Sequence, residues 1–152
     1  MLKKTISILL CLILVISLPA PTVCAVEGTT EVVYLEDGSY ITTTIQSYST
    51  YSTYEITAKK TQTYTLQNGV VCWDIVLTGT FVYDGTTCEC TASNVNIIVY
   101  EDGWATYSRR SGRDDNYCFS NVVMRYTNIA GIVATSVPCN MTLTCDVNGN
   151  LS

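Results

Sequence analysis

The chain contains no histidine. Ser–His and Cys–His nucleophilic mechanisms are therefore excluded, and so is imidazole ligation of a metal. Basic residues are also scarce, with 8 Lys and Arg against 13 Asp and Glu and a formal net charge of −5. Two of the eight, Lys3 and Lys4, lie at the extreme N-terminus. Without them 6 remain against 13 acids, a net charge of −7. Such a balance argues against binding nucleic acid, or an anionic membrane, through a basic surface. Beyond residue 26 helix formers such as Ala, Leu, Lys and Glu are thin. Thr, Tyr, Val and Ile dominate instead, which is the composition of strands rather than of disorder.

The sequence has one long apolar run, residues 6–18, and it follows Lys3 and Lys4. Pro19 and Pro21 break it, and Val23-Cys24-Ala25 supplies a small-residue cleavage site. This order reads as a secretory signal peptide over residues 1–25, cut after Ala25. The run is shorter than the ~20 residues that a bilayer-spanning helix needs. Cys24 as an acylated lipoprotein cysteine is disfavoured by Val23 before it. The expected product is one secreted domain, residues 26–152, with no membrane attachment after signal removal.

Cys11 and Cys24 leave with the signal. Cys72, Cys88, Cys90, Cys118, Cys139 and Cys145 remain. An even number in an exported chain reads as three disulfides, and sequence alone does not choose the connectivity. Cys88-x-Cys90 is too tight for a zinc knuckle, so no metal and no cofactor are expected.

Residues 31–36 and 39–46 read as a hairpin about Asp37-Gly38, and residues 54–67 and 70–83 as a second about Asn68-Gly69. Asp-Gly and Asn-Gly predict two-residue turns with positive φ at both positions. The second turn places Tyr64 opposite Trp73. In residues 70–83, Trp73, Ile75, Leu77, Phe81 and Tyr83 share one parity and Asp74, Thr78 and Thr80 the other, so one face is predicted for the core. Further strands are predicted over 88–91, 95–100, 104–108, 116–126 and 132–145, with 109–115 as a polar loop. About eight antiparallel strands imply a two-sheet β-sandwich of immunoglobulin-like size. The Cys–Trp–Cys order is not that of a true immunoglobulin domain.

If the last hairpin turns on Asn128-Ile129, Cys118 falls opposite Cys139; if its loop is 128–131, the register shifts and that pairing is lost. Asp146-Val-Asn148-Gly-Asn150 opens like a calcium loop, but Leu151 and the chain end do not continue it, and a solvated turn is the expectation. The acids sit mostly at turns, where Asp is favoured for local hydrogen bonding, so no enzyme is expected. The aromatic residues carry the functional hint. All 11 tyrosines follow residue 25. Tyr48, Tyr51 and Tyr54 surround a Ser/Thr loop, and Trp104 and Tyr107 flank Asp102-Gly103. Rings with a polar edge suit sugar faces and protein partners, so these five form a candidate binding surface.

Two blocks are distinctive: Trp73-x-Ile-x-Leu-Thr-Gly-Thr-Phe-x-Tyr-x-Gly-Thr-Thr leading to Cys90, and Thr-Leu-Thr-Cys145-x-x-x-Gly149-x-Leu-Ser152. In them the chain resembles a group of small exported β-sandwich proteins of Gram-positive, clostridial-type bacteria. The resemblance implies a sandwich, a pairing of Cys90 with Cys145, and no active site. Cys72, Cys88, Cys118 and Cys139 are additions to that pattern; on the Asn128-Ile129 register Cys118 would pair with Cys139, which would leave Cys72 with Cys88 by elimination. The functional expectation is a secreted, non-enzymatic binding or surface-associated protein whose ligand is a cell-wall or host glycan or a protein. The alternative is a toxin-like or bacteriocin-like effector.

Overall fold

The computed structural model describes residues 24–49 and 54–152, with side chains from Gly28 to Tyr48 and from Tyr54 onward. The expected leader lies outside the described residues except for Cys24 and Ala25, and Tyr51 lies outside them altogether. Eight strands and no helix make up the described chain: β1 (Cys24–Tyr34), β2 (Tyr40–Ser49), β3 (Glu55–Thr65), β4 (Val71–Tyr83), β5 (Cys88–Val99), β6 (Trp104–Asp114), β7 (Tyr117–Thr127) and β8 (Val133–Thr144). They form two antiparallel meanders, β1-β2-β3-β4-β5 and β6-β7-β8. The expected all-β, two-sheet architecture is present. Because neighbours in each sheet are neighbours in sequence, the connectivity lacks the Greek-key crossing of an immunoglobulin domain.

The sheets face each other in a sandwich-like arrangement, β4 over β7, β3 over β8 and β5 beside β6. Strand alternation explains the single core. Trp73, Ile75, Leu77 and Phe81 of β4 are fully buried, as predicted, and meet Cys118, Val122 and Met124 of β7 and Cys139, Met141 and Leu143 of β8. Tyr64 pairs with Trp73 as expected, their rings stacked at 5.2 Å and 10°. Trp104 and Tyr126 extend that stack into one aromatic cluster.

The turns differ from the expectation. Leu35 N–H donates to Ser39, Leu66 to Val70, Asn128 to Ile132 and Asp146 to Asn150, and in each the glycine N–H reaches back to the first residue. Within each of these turns the glycine alone has positive φ: Gly38, Gly69, Gly131 and Gly149. These are three-residue loops, a type I turn closed by a left-handed glycine, and not two-residue turns. The extra residue shifts the register next to the turn. Cys72 is the unpaired residue between Thr65↔Val71 and Tyr64↔Trp73.

The last hairpin follows the same rule, with decisive effect on the cysteines. Its loop is the three residues 129–131 between Asn128 and Ile132, Cys118 lies opposite Leu143, and Val122 lies opposite Cys139. The register argument for Cys118 with Cys139 therefore fails. Cys72 and Cys88 sit at opposite ends of the β4–β5 ladder, near Tyr100 and Tyr83 respectively, so the elimination argument fails with it.

Two more expectations change. Residues 88–99 form one strand, with Thr91 as a bulge rather than a break at Ser93-Asn94. Residues 109–114 belong to β6 and are not a loop. The arginines there act across the sandwich. Arg109 Nη2 donates to Val95 O at 2.7 Å and Arg113 Nη1 donates to Cys90 O, both on β5. On the other side Lys60 Nζ donates to Thr142 O at 2.9 Å. Open strand edges are sites of unwanted pairing, and long cations occupying their carbonyls blunt them.

Candidate functional site

Of the five aromatic residues singled out from the sequence, Tyr51 lies outside the described residues, and the other four do not converge. Trp104 is half-buried within the aromatic cluster, where its ring meets Tyr64, Trp73 and Tyr126. Tyr107 is the bulge residue of β6 and is 62% exposed on the outer face of the three-stranded sheet, beneath the Arg125 guanidinium. Tyr48 lies on the outer face of the five-stranded sheet, with Lys59 Nζ 5.4 Å from its ring centre. Tyr54 is exposed just before β3, and its carbonyl accepts from Tyr83 N–H. Tyr48 and Tyr107 thus occupy opposite faces of the molecule.

A different surface emerges on the outer face of the five-stranded sheet. The parity that buries Trp73 and Ile75 turns Asp74, Val76, Thr78 and Thr80 outward. Antiparallel register then sets Thr42 beside Thr63 and Asp74, Thr44 beside Thr61 and Val76, and Thr57 beside Thr80. Three adjacent strands carry Thr-x-Thr on this side: Thr42 and Thr44, Thr61 and Thr63, Thr78 and Thr80. Threonine at such positions is explained locally by strand propensity. Only the register reveals that the hydroxyls assemble into one field, which is why the sequence reading passed over them. Five strands at about 4.8 Å spacing make the face roughly 20 Å wide.

The face has an ordered polar centre. Thr63 Oγ1 donates to Asp74 Oδ1 at 2.6 Å and the Tyr100 hydroxyl donates to Asp74 Oδ2 at 2.7 Å. That second bond, more than any other influence, holds the Tyr100 phenol above its ordinary value and keeps it a donor. Thr57 and Thr80 hydroxyls lie 3.1 Å apart. Tyrosines stand around this centre: Tyr34 and Tyr40 pair at 5.6 Å at the β1–β2 end, Tyr100 lies across the sheet, and Tyr48 lies at the far end. Both Asp74 oxygens are engaged by side chains of the same face, so this carboxylate orders hydroxyls rather than standing free for proton transfer.

The clefts offer less. One of about 360 Å³ runs beside the aromatic cluster and is lined by Tyr64, Trp104 and Tyr126 with Asp37, Glu101 and Asp102. Asp37 is committed to its own turn, where the Ser39 hydroxyl and N–H hold its carboxyl below the ordinary value. A second cleft, about 690 Å³, opens over Cys88, Cys90, Arg113 and Asp115. The calcium-like turn is also self-satisfied. Asp146 Oδ1 accepts the N–H groups of Asn148 and Asn150, each at 2.8 Å, and Oδ2 accepts Asn150 Nδ2 at 2.8 Å. The chain matches no family model, no curated protein and no solved structure.

Proposed function

We propose that this is an exported, disulfide-bonded, non-enzymatic β-sandwich protein that binds an extended, largely neutral glycan of a cell wall or host surface. This keeps the binding role that the exposed aromatic residues suggest in the sequence. The observation that carries the reading is the outer face of the five-stranded sheet, where outward threonines, the Asp74 centre and Tyr34, Tyr40 and Tyr100 share one open surface. Hydroxyls in rows exchange hydrogen bonds with sugar hydroxyls, and tyrosine rings stack on sugar faces. Apart from Lys59 and Asp74 the middle of the face is uncharged, which fits a neutral polymer better than a charged protein. The secreted domain begins at Val26 in this reading.

Retention on insoluble cell-wall polysaccharide and on mucin glycans tests it. Tyr40→Ala and Tyr100→Ala are each expected to weaken binding about tenfold, equivalent to ~1.4 kcal/mol. Tyr107→Ala, on the opposite face, is expected to leave it unchanged. Equal loss from all three, or no retention on any glycan, rejects the reading.

One observation favours the second reading, a toxin-like effector. Ile129, Ile132 and Val133 are exposed together at the β7–β8 tip. Release of dye from lipid vesicles, abolished by Ile129→Ser, would support it; no release removes it.

A further inference from the structure

The two sheets are joined by one short crossover, the turn from Tyr100 to Gly103, in which Tyr100 and Glu101 N–H donate to Cys72 O. Four of the six cysteines lie at the other end of β5. Cys88 and Cys90 share the inward side of that strand, opposite Tyr83 and Phe81 of β4. The β6–β7 turn ties them to the second sheet. Asp115 O accepts Cys90 N–H, Asn116 O accepts Cys145 N–H at 3.0 Å, and Asn116 Nδ2 donates to Cys145 O at 2.8 Å. Gly85 N–H donates to Val147 O at 2.9 Å, which brings the segment after Cys145 to the start of β5. Gly79 leaves the space that the Cys118 sulfur occupies.

We propose that the mature protein carries two disulfides, Cys88 to Cys145 and Cys90 to Cys118, and that Cys72 and Cys139 remain buried thiols. The inference rests on the reading of the chain as exported, though not on glycan binding. The Gly85–Val147 bond brings Cys145 beside Cys88, and Arg113, which pairs with Cys118 in the β6–β7 ladder and donates to Cys90 O, brings Cys118 beside Cys90, so each pair of thiols lies close enough to influence the other's ionisation. The two contacts are rungs of one ladder, each joining β5 to the second sheet. Cys72 has Glu101 and Trp104 around it, at the far end of the molecule. Cys139 faces Val122 inside the second sheet.

In each step two S–H bonds break and one S–S bond forms. Two protons and two electrons pass to a disulfide oxidant, which is reduced to two thiols. Burial, as the main cause, pushes the Cys118 and Cys145 thiols up to about 12, so the attacking thiolate must form before the sheets close. The links then clamp the end of the sandwich remote from the crossover.

The test is peptide mapping of unreduced protein, both recovered from culture medium and refolded from denaturant in oxidised and reduced glutathione. Cleavage after Glu89 separates Cys88 from Cys90. The expected result is two linked peptide pairs, 88 with 145 and 90 with 118. Alkylation should add no groups to the native protein and two, at Cys72 and Cys139, after denaturation without reduction. A second variant, Cys88→Ser with Cys145→Ser, should retain the 90–118 link. A Cys90–Cys145 link, a Cys118–Cys139 link, or any link to Cys72 overturns the proposal, as does an oxidised refolded protein with no links. If the refolded protein shows both links but none of it reaches the medium, the pairing stands and the export reading falls.

Discussion

Gly79 and Cys118 face each other across the sandwich so closely that a Cβ on Gly79 would stand 2.7 Å from the Cys118 sulfur. The same Cβ would lie 2.8 Å from the Phe81 ring. A glycine in the middle of the most strongly patterned strand costs packing and entropy, and here it makes room for a cysteine on the opposing sheet. Gly79→Ala is therefore expected to destabilise the protein by about 1–3 kcal/mol through overpacking. The urea midpoint measures this. A midpoint within error of the parent would mean that Cys118 moves aside at no cost.

The Tyr64–Trp73 stack is the clearest agreement between strand pattern and structure. Both rings are almost wholly buried. A double-mutant cycle with Tyr64→Leu and Trp73→Leu is expected to give a coupling of about 0.5–1.5 kcal/mol beyond the individual losses. A coupling near zero would show that the rings contribute only as buried area.

Tyr64 and Trp73 also mark how far the sequence could be read. Alternation in β4 depends on residues within one strand, so its core face was legible. Register depends on turns, and Asp37-Gly38 and Asn68-Gly69 suit both a two-residue turn and a type I turn with a left-handed glycine. In the last hairpin the turn sits later, at 129–131, and a bulge at Ala134 follows it, so together they moved Cys118 by four residues, from Cys139 to Leu143. The strand over 109–114 was hidden because Arg109 and Arg113 are polar residues on an edge, where the partner is a backbone carbonyl rather than an apolar side chain. The threonine face was invisible for a related reason: each hydroxyl is unremarked in its own strand and gains meaning only beside its cross-strand neighbours.

Acid should loosen three turns together. The Asp84 carboxyl is held below 3.8 first by the Thr87 and Thr86 N–H groups, and Asp146 likewise by Asn150. Asp37 is held below 3.8 by Ser39. A carboxyl with a depressed folded-state pKa contributes stability that is complete above its unfolded value and is lost as pH falls through the folded value. The urea midpoint is therefore expected to hold steady above about pH 5 and to decline below about pH 4. In the triple variant Asp37→Asn, Asp84→Asn, Asp146→Asn that decline should be smaller. An equal decline in parent and variant would place the acid sensitivity elsewhere.

Cys139 offers a direct probe of core integrity. Burial among apolar neighbours pushes its thiol up to about 12. At pH 8 the thiolate is then on the order of one part in ten thousand. Alkylation of the native protein should be slow and limited by unfolding, and should accelerate sharply in denaturant. Fast native labelling of Cys139 would show that β8 opens locally without global unfolding.

The cations at the sheet edges lead to a prediction about association. Val95 O and Cys90 O lie on the strand that ends the five-stranded sheet, and Arg109 and Arg113 donate to them from β6. Removing the guanidinium groups while keeping apolar stems, as in Arg109→Met with Arg113→Met, leaves those carbonyls for another donor. Part of each bond is exposed, so the loss of stability should be modest, about 1 kcal/mol per bond. The larger effect should be on solubility, because an edge with free carbonyls is a template for a second chain. Sedimentation velocity should show concentration-dependent association of the double variant where the parent shows none. Lys59→Met is the control, since its cation lies over the Tyr48 ring on the outer face and guards no edge. Matching behaviour of the control and the double variant would mean that lost charge, not an opened edge, drives association. Association of the double variant alone identifies the two arginines as the caps that keep β5 from recruiting another strand.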